Sequence, residues 1–475
     1  MGNDLNKKPG IPSVLLPMSN NGGNGFSLNR LRALPVSLKE AVERARRLVS
    51  HRVGIIAGVE FVELSPEEPQ IYWAKSHPAD VSAFCGRQAL NAGAGAAVDP
   101  DRAIMKAVGE SVERYCSAQY DGDALRFATY RELGADAVPP QDFALFSTKQ
   151  YAQPDFPFSP MTQRTPLRWV QGHSLTHDKS VWVPATFVYV PYACEPRGEP
   201  KVHYPISTGL ACAPNLASAI YKGILEAIER DAFMITWHHR LPGPLIDLES
   251  IDHPSIRRLL GLLDGVPVRC QACFLSLDIP VPVILVVFSS TSGRPPFSVV
   301  GLGTDLDPHR ALIQALEEVY LGYWGMKRVA LEKNDFKPEK NYRNVNMPIQ
   351  HGYAHALWPE LRESMEFLLA SDTRLSIQNL PNVFNENMVA NVNSLVDLLR
   401  EKGLEVIIKD LTTPDIDGVG FKVVRAVIPG LQPLDVNHVY RYLGGKRLYD
   451  APCQLGHLTH PRAEEDLNPF PHVFP

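Results

Sequence analysis

The chain has 475 residues, of which 45% are hydrophobic and 21% charged, and its formal net charge is −5. This length corresponds to about two to four domains' worth of mass. The acidic balance, together with the lack of a dense Lys/Arg run, excludes nucleic-acid binding by bulk electrostatic attraction.

The first segment, residues 1–30, is polar and predicts a flexible N-terminal tail. It has no long apolar region of the kind found in signal peptides. Seven cysteines are scattered without framework spacing, which indicates a reduced, cytoplasmic protein. The apolar run at 279–290 is too short to span a bilayer and predicts a buried strand, so we expect no membrane association.

Periodicity predicts the remaining elements in chain order. Helical spacing indicates a helix at 31–50, alternation indicates strands at 53–75 and within 126–200, a helix follows at 254–265, and a helix and a strand share 393–409. Residues 330–385 are polar and aromatic, with little periodicity, and are interpreted as an insertion. Cys270 and Cys273 form a CxxC pair in an alternating stretch. A strand is favoured there over a zinc site, which would need two further ligands.

Three segments of the chain repeat one helical pattern. They cover residues 99–115, 213–231 and 305–321. Each copy carries a small residue, a second small residue four positions later, and a glutamate three positions after that: Ala103, Ala107 and Glu110; Ala219, Gly223 and Glu226; Ala311, Ala315 and Glu318. The first two copies add a second glutamate and an arginine, which are Glu113 with Arg114 and Glu229 with Arg230, whereas the third copy has Leu321 at the second glutamate position.

The repeated residues share one side of each helix. At about 100° per residue, the two small residues, the first glutamate and the arginine lie within about 40° of one line. We expect the small residues to leave room beside the carboxylates, so that something can approach the helix backbone closely while the glutamate side chains reach over it. A single such helix is most simply an amphipathic helix with a solvated acidic face, and duplication can repeat a feature for folding alone. Three copies in one register nevertheless predict acids that converge on a shared cavity, because neighbouring glutamates repel one another on an open surface.

Five carboxylates in one cavity predict a site for hard cations. Mg²⁺ prefers oxygen ligands and is commonly bound together with nucleotide phosphates. Without a cation the glutamates would repel one another, and some would stay protonated. Arg114 and Arg230 could balance the acids or contact phosphate oxygens. No GxxxxGK[ST] segment occurs, so this would not be a P-loop site.

The three repeats, in this order, resemble the YcaO family. Other stretches agree with the resemblance: NAGAGAA at 91–97, the segment that begins STGLA at Ser207, and RAVIPGLQPL at 425–434. The chain end, NPFPHVFP at 468–475, is similar to the NPxPHPFP end of the azoline-forming branch. The resemblance covers roughly residues 50–475. It implies a catalytic domain at 31–460, followed by a Pro-rich tail at 461–475 that enters the active site.

The resemblance implies ATP and magnesium as cofactors of a peptide cyclodehydratase. In the implied reaction, a Cys, Ser or Thr side chain of a ribosomally made precursor peptide attacks the preceding amide, and the phosphorylated amide oxygen leaves as phosphate. The implied ligands of magnesium and the phosphates are Glu110, Glu113, Glu226, Glu229 and Glu318. Ser207 would lie in the nucleotide pocket, Arg114 and Arg230 would assist, and the Pro475 carboxylate would act in catalysis.

The expected fold is mixed α/β, with antiparallel sheets flanked by the repeat helices and with internal pseudo-symmetry. No leader-recognition domain is evident in the sequence. A separate leader-peptide-binding partner that resembles ubiquitin-activating enzymes is therefore implied, and a homodimer is left open.

Several positions depart from the family pattern and keep two alternatives open. The departures are Gln314 and Leu321 in the third copy, Ala213, Pro214 and Ser218 in the second copy, and Val473 in the tail. Each removes a polar ligand or a shape feature, so one alternative is a degenerate scaffold that binds peptide or partner enzymes without ATP turnover. The other is a thioamide- or amidine-forming enzyme, against which the Pro-rich end argues.

Overall fold

The computed structural model describes residues 35–65, 68–82, 92–194, 198–332 and 335–474, so the predicted tail at 1–30 lies outside the described residues. The α-helices are α1 Leu38–Arg46, α2 Pro100–Ser117, α3 Tyr130–Leu133, α4 Thr148–Tyr151, α5 Leu216–His239, α6 Pro254–Gly261, α7 Pro308–Leu331, α8 Pro348–Leu357, α9 Met388–Glu401, α10 Pro414–Val419 and α11 Lys446–Gln454. None of these helices is long and apolar enough to cross a membrane.

The strands form three sheets. They are β1 Ile56–Phe61, β2 Tyr72–Pro78, β3 Gly93–Ala97, β4 Arg126–Ala128, β5 Leu167–Ser174, β6 Lys179–Pro184, β7 Leu210–Ala213, β8 Leu245–Ile246, β9 Val268–Phe274, β10 Val283–Ser290, β11 Ser298–Thr304, β12 Arg374–Leu375, β13 Ile407–Asp410 and β14 Lys422–Val427. The sheet orders are β1-β2-β3, β4-β5-β13-β14-β7 with β6 on β5, and β11-β10-β9-β8-β12. All pairings within the sheets are antiparallel except β8 with β12, which confirms the predicted mixed fold class.

Each sheet presents one edge strand to a repeat helix. The edge strands β3, β7 and β11 immediately precede α2, α5 and α7 along the chain. Each helix packs on its own strand and also contacts the edge strand of the next repeat: α2 contacts β7, α5 contacts β11, and α7 contacts β3. The three repeats therefore close into a ring. This arrangement accounts for the internal pseudo-symmetry that the sequence predicts.

The small residues of the helices let the edge strand approach the helix backbone closely. Ala103 and Ala107 are fully buried against β3. A Cβ atom added to Gly93 would lie 2.0 Å from the Ala107 carbonyl oxygen. In the third copy, a Cβ on Gly303 would lie 2.1 Å from the carbonyl oxygen of Ala311. Glycine in the strand and alanine in the helix thus let two backbones touch, and this contact fixes the depth at which the glutamates sit.

The N-termini of the three helices are capped in the same way. The side chains of Asp99, Asn215 and Asp307 accept hydrogen bonds from backbone N–H groups in the first turn. Each acceptor satisfies a donor that has no partner within the helix. Pro100 and Pro308 occupy the first helical position, where a missing N–H costs nothing.

The other predicted elements agree with the structure in type, with shifted bounds. The first helix is shorter than its prediction, since α1 spans only Leu38–Arg46. The apolar run at 279–290 contains β10, which is almost wholly buried. Cys270 and Cys273 lie in β9, as the alternation favours. The segment at 330–385 contains α8, a regular helix with buried histidines that its weak periodicity did not reveal.

Candidate functional site

The first glutamate of each repeat binds a backbone N–H in, or immediately before, the edge strand on which its own helix packs. Glu110 Oε2 accepts from the N–H of Ala94 at 2.9 Å, and Glu226 Oε2 accepts from Gly209 at 3.1 Å. Glu318 Oε2 accepts from Leu302 at 2.8 Å. Edge strands leave backbone N–H groups without ladder partners, so each carboxylate satisfies a donor that the sheet does not use. Because all three glutamates make the same kind of hydrogen bond, they occupy the same position in the repeated helical pattern.

The second glutamate of the first two repeats reaches the following repeat. Glu113 Oε1 accepts from the N–H of Cys212 in β7 at 2.7 Å. Glu229 Oε2 accepts from the hydroxyl of Thr304 in β11 at 2.9 Å. The equivalent Leu321 is a half-buried member of an apolar cluster and can make no such bond. The ring is closed there by Glu317, which is 1% exposed and pairs with Lys106 at 2.7 Å and Arg102 at 3.1 Å.

The carboxylates act on one another electrostatically. The pKa of Glu113 is raised to about 8, chiefly by burial; the Cys212 N–H lowers it, and the charges of Glu226 and Glu110 add to the rise. Burial also raises the pKa of Glu229 to about 8, with a contribution from Glu318. The pKa of Glu318 is raised by burial as well. The three segments therefore converge as the repeats predict, and their acids form one cluster.

Three arginines lie beside the acids. Arg114 Nη2 is 3.5 Å from Glu110 Oε1, and Arg230 Nη2 is 3.6 Å from Glu226 Oε1. Arg425, in β14, donates from Nη1 to the Ile206 carbonyl at 2.8 Å, and burial lowers its pKa to about 10. The Nε atoms of all three arginines are buried and have no hydrogen-bond partner among the described residues.

Arg425 and Glu317 belong to the cluster, but the sequence analysis does not predict either of them as a site residue. Arg425 stands inside the stretch RAVIPGLQPL, and it lies among apolar residues in the fully buried part of β14, which begins with the half-buried Lys422. That position was a usable signal, because a charge is placed in a buried strand only where a partner or ligand compensates it. Glu317 had no such signal, since it directly precedes Glu318 and resembles one more surface acid.

Ser207 lies in the loop that leads into β7. Its carbonyl accepts from the N–H of Leu210 at 2.8 Å, and two residues later Gly209 donates to Glu226. Gly209 has a φ of +86°, and a Cβ there would lie 2.3 Å from the Ala426 carbonyl oxygen. Glycine is therefore required at this turn, which holds Ser207 near Glu226.

The C-terminal tail docks against the same cluster. Val473 and Phe474 are buried in the largest apolar core, so Val473, a departure from the family pattern, is accommodated by packing. The guanidinium carbon of Arg230 lies 4.1 Å from the centre of the Phe474 ring, a cation–π contact. Pro475, the predicted catalytic residue, lies outside the described residues.

The donor set fits a magnesium–triphosphate group. In the described ranges, no three His, Cys, Asp or Glu side chains are already gathered to hold a metal ion. Mg²⁺ keeps several waters and usually takes only one or two carboxylates besides substrate phosphates. Carboxylates in the first two repeats and the buried, partnerless Nε–H groups of three arginines supply both kinds of ligand.

Known proteins resemble this chain along most of its length. The family model described as YcaO cyclodehydratase, ATP- and Mg²⁺-binding, matches residues 93–432. An uncharacterised protein of Methanothermobacter thermautotrophicus is 28% identical over 357 residues, which are 74% of this chain and 84% of that protein.

Two solved structures share the fold. A heterocyclase in complex with substrate and cofactor superposes with a TM-score of 0.75 at 23% identity, over 94% of this chain and 59% of that chain. YcaO from Methanopyrus kandleri, bound with AMPPCP and Mg²⁺, gives a TM-score of 0.60 at 21% identity, over 84% and 91%. The chain thus spans about three fifths of the length of the heterocyclase. With the family model covering the whole ring of repeats, the protein belongs to the YcaO family, whose cofactors are ATP and Mg²⁺.

Proposed function

We propose that this protein is an ATP-dependent cyclodehydratase that converts Cys, Ser or Thr residues of a ribosomally made precursor peptide to azolines. The observation that carries the proposal is the ring in which glutamates from three repeats and three arginines meet beside the docked tail. An amide oxygen is a poor leaving group, so the chemistry needs a phosphoryl donor. When bound, ATP with Mg²⁺ supplies that phosphoryl group.

In this proposal the carboxylates hold magnesium and the arginines hold phosphate oxygens. Glutamates 110, 113, 226, 229 and 318 are the candidate magnesium ligands. Arg114 and Arg230 are candidate phosphate ligands together with Arg425, whose Nε–H is buried and unused. Ser207 is a candidate contact to the nucleotide because its loop carries the Gly209 N–H that binds Glu226. Fixed groups of this kind favour the transfer by positioning and by neutralising charge.

The buried acids also give the site a proton reservoir. Glu113 and Glu229, with pKa values raised to about 8 by burial, hold protons at neutral pH until a cation replaces them. We propose that the C-terminal carboxylate of Pro475 enters the same site. The stacking of Phe474 on Arg230 supports this role, because it brings the tail to a residue that also borders Glu226 and Glu229.

The substrate and partner are proposed on separate grounds. We propose that a second protein, resembling ubiquitin-activating enzymes, supplies leader-peptide recognition; the shared fold with a chain of the E. coli microcin synthetase McbBCD complex supports action together with a partner protein. The test is to incubate the chain with a precursor peptide, the partner, ATP and Mg²⁺ and to weigh the peptide. Loss of one water mass per ring supports the proposal, whereas exchange of oxygen for sulfur or nitrogen would assign a thioamide- or amidine-forming reaction instead.

A second candidate is a scaffold that binds peptide or partner proteins without ATP turnover. Leu321 favours it, because the third repeat places an apolar side chain where the other two place an acid. Calorimetry with ATP and Mg²⁺ separates the two candidates. Nucleotide binding that disappears in Glu226→Gln supports the enzyme. No binding, with or without partner and peptide, supports the scaffold.

A further inference from the structure

Helix α8 presents two buried histidines to the C-terminal tail. His351 and His355 are both 0% exposed. The His351 ring stacks on that of His472, with centres 3.8 Å apart and planes at 13°. His355 Nε2 lies 2.8 Å from the carbonyl oxygen of Pro471. Because a carbonyl oxygen can only accept, His355 must carry its hydrogen on Nε2 and donate to the tail.

The tail is held chiefly through its carbonyl oxygens. Trp237 Nε1 donates to the Phe470 carbonyl at 3.2 Å, and Arg441 Nη1 donates to that of Asn468 at 2.7 Å. Proline lacks an N–H, so a Pro-rich segment offers acceptors that no sheet can use fully. A receptor for such a segment must therefore supply side-chain donors, and α8, α5 and Arg441 supply them here.

His472 of the tail is also held by a hydrogen bond outside α8. His472 Nε2 lies 2.8 Å from the carbonyl oxygen of Asp435, to which it must donate. The same Asp435 pairs through Oδ2 with His238 at 3.0 Å. Burial lowers the pKa of His355 and of His472 to about 4, so each ring is neutral near pH 7 and has a single hydrogen to give. Loss of one acceptor or donor would leave a buried polar atom without a partner.

The position of the tail affects the acid cluster through the contact between Phe474 and Arg230. Two residues beyond His472, the Phe474 ring covers the guanidinium of Arg230, which borders Glu226 and Glu229. The sequence prediction interprets 330–385 as an insertion. Its helix α8 forms the wall against which the tail lies.

We propose that His355 and His351 of α8 are positioning residues, which hold the C-terminal tail so that Phe474 stays on Arg230 beside the nucleotide-binding acids. The proposal rests on the proposed function only for its consequence in turnover. The placement of the tail itself can be tested without any turnover.

The test compares three variants by hydrogen–deuterium exchange and by ATP hydrolysis with Mg²⁺. His355→Phe keeps the ring and removes the donor, whereas His355→Gln keeps a donor. His239→Phe is the matched control, because His239 is equally buried and its Nε2 donates to the Leu448 carbonyl at 2.7 Å rather than to residues 471–474.

We expect His355→Phe to raise amide exchange at residues 472–474 about tenfold, as the loss of one buried hydrogen bond allows, and to lower kcat while KM for ATP stays unchanged. His355→Gln should restore both, and His239→Phe should lower Tm without affecting exchange in the tail. Unchanged tail exchange in His355→Phe would overturn the proposal, as would faster exchange in His239→Phe to the same extent. A normal kcat with a freely exchanging tail would also overturn it. If the wild-type protein hydrolyses no ATP, the proposed function fails, and the exchange comparison alone decides the placement of the tail.

Discussion

Glu113 of α2 accepts a hydrogen bond of 2.7 Å from the backbone N–H of Cys212, which lies in the edge strand of the next repeat. One side chain therefore joins two repeats through a pair of residues that are 99 positions apart along the chain. The same carboxyl is buried near Glu110 and Glu226, which is why its proton is hard to remove. Glu113 therefore both joins two repeats and binds a proton tightly, and a substitution can remove the second property while keeping the first.

Glu113→Gln should make the nucleotide-free protein more stable at alkaline pH. Glutamine still accepts from the Cys212 N–H, but it carries no charge to bury. The wild-type carboxyl has its pKa raised to about 8, so the folded protein binds more protons than the unfolded chain between about pH 4.5 and pH 8. Its stabilising contribution is complete below that window and is lost as pH rises through 8.

Thermal unfolding from pH 5 to pH 9 measures this difference. We expect equal Tm values at pH 5 and a higher Tm for Glu113→Gln at pH 9. Glu43→Gln on the exposed face of α1 is the control and should change neither value. A variant that is less stable than wild type at pH 9 would show that the hydrogen-bond geometry outweighs the charge.

Magnesium nucleotide should displace protons from the cluster. At pH 7, Glu113 and Glu229 are mostly protonated, because burial raises both pKa values to about 8. Ligation by a cation requires the ionised form, so the apparent affinity should rise from pH 6 to pH 8.5, with release of about one to two protons per site at pH 7. Calorimetry in buffers of different ionisation enthalpy counts the protons directly. Binding without proton release would mean that these two acids do not ligate the cation.

Two neighbouring glutamates of α7 should behave oppositely. Glu318→Gln removes a cluster charge and should abolish detectable binding of ATP with Mg²⁺ while leaving the bond from the Leu302 N–H in place. Glu317→Gln breaks the buried ion pairs to Lys106 and Arg102. Because both cations are partly exposed, we expect that change to cost about 1–3 kcal/mol of stability and to leave binding intact. Calorimetry and chemical denaturation of both variants provide the comparison.

Acid should weaken the hold on the C-terminal tail. Burial lowers the pKa of His355 and His472 to about 4, so the unfolded chain binds more protons than the folded protein between about pH 4 and pH 6.5. Stability from these groups is therefore present above pH 6.5 and is lost as pH falls through 4. Tm measured from pH 6.5 down to pH 4.5 should drop less in His355→Gln than in wild type. An identical slope would contradict the assignment to these histidines.

Deleting Pro471–Pro475 should affect both turnover and stability. The tail buries Val473 and Phe474 in the core shared with α5, so its removal should lower Tm by several degrees besides stopping peptide modification. Phe474→Leu is the companion variant, since it retains most of the apolar contact and loses the ring over Arg230. We expect it to fold with nearly normal Tm and to turn over slowly. Normal cyclisation by the truncated protein would remove the tail from the mechanism.

The sequence predicts the repeats well because helical register is a local property. The spacing of Ala103, Ala107 and Glu110 determines that they share one side, whichever partner that side meets. The partner is a matter of long-range packing, so the helical pattern alone leaves open that the group close to the helix backbone is the strand β3. Gly93 and Gly95 in the quoted NAGAGAA stretch were the available sign, since glycine in a strand often marks the close approach of another backbone.

The site itself is predictable only in part, for the same reason. Glu110, Glu226 and Glu318 are brought together as expected, and their role as ligands stays a prediction. That each also binds an edge-strand N–H could not be foreseen, because no local pattern tells which strand of a sheet lies at its edge. Residues 330–385 show the limit most clearly, since His351 and His355 acquire meaning only from a tail more than a hundred positions away.

The edge strands β3, β7 and β11 affect how readily variants of this protein aggregate. An open edge is a template on which a foreign strand can add. The glutamates at β3, at β11 and at Gly209 immediately before β7 each occupy a backbone N–H that such a strand would need. Replacement of Glu110, Glu226 and Glu318 by alanine would therefore leave a backbone N–H without its partner at all three strand edges. Aggregation of that triple variant would follow from the exposed backbone, and only the glutamine series can report on catalysis alone.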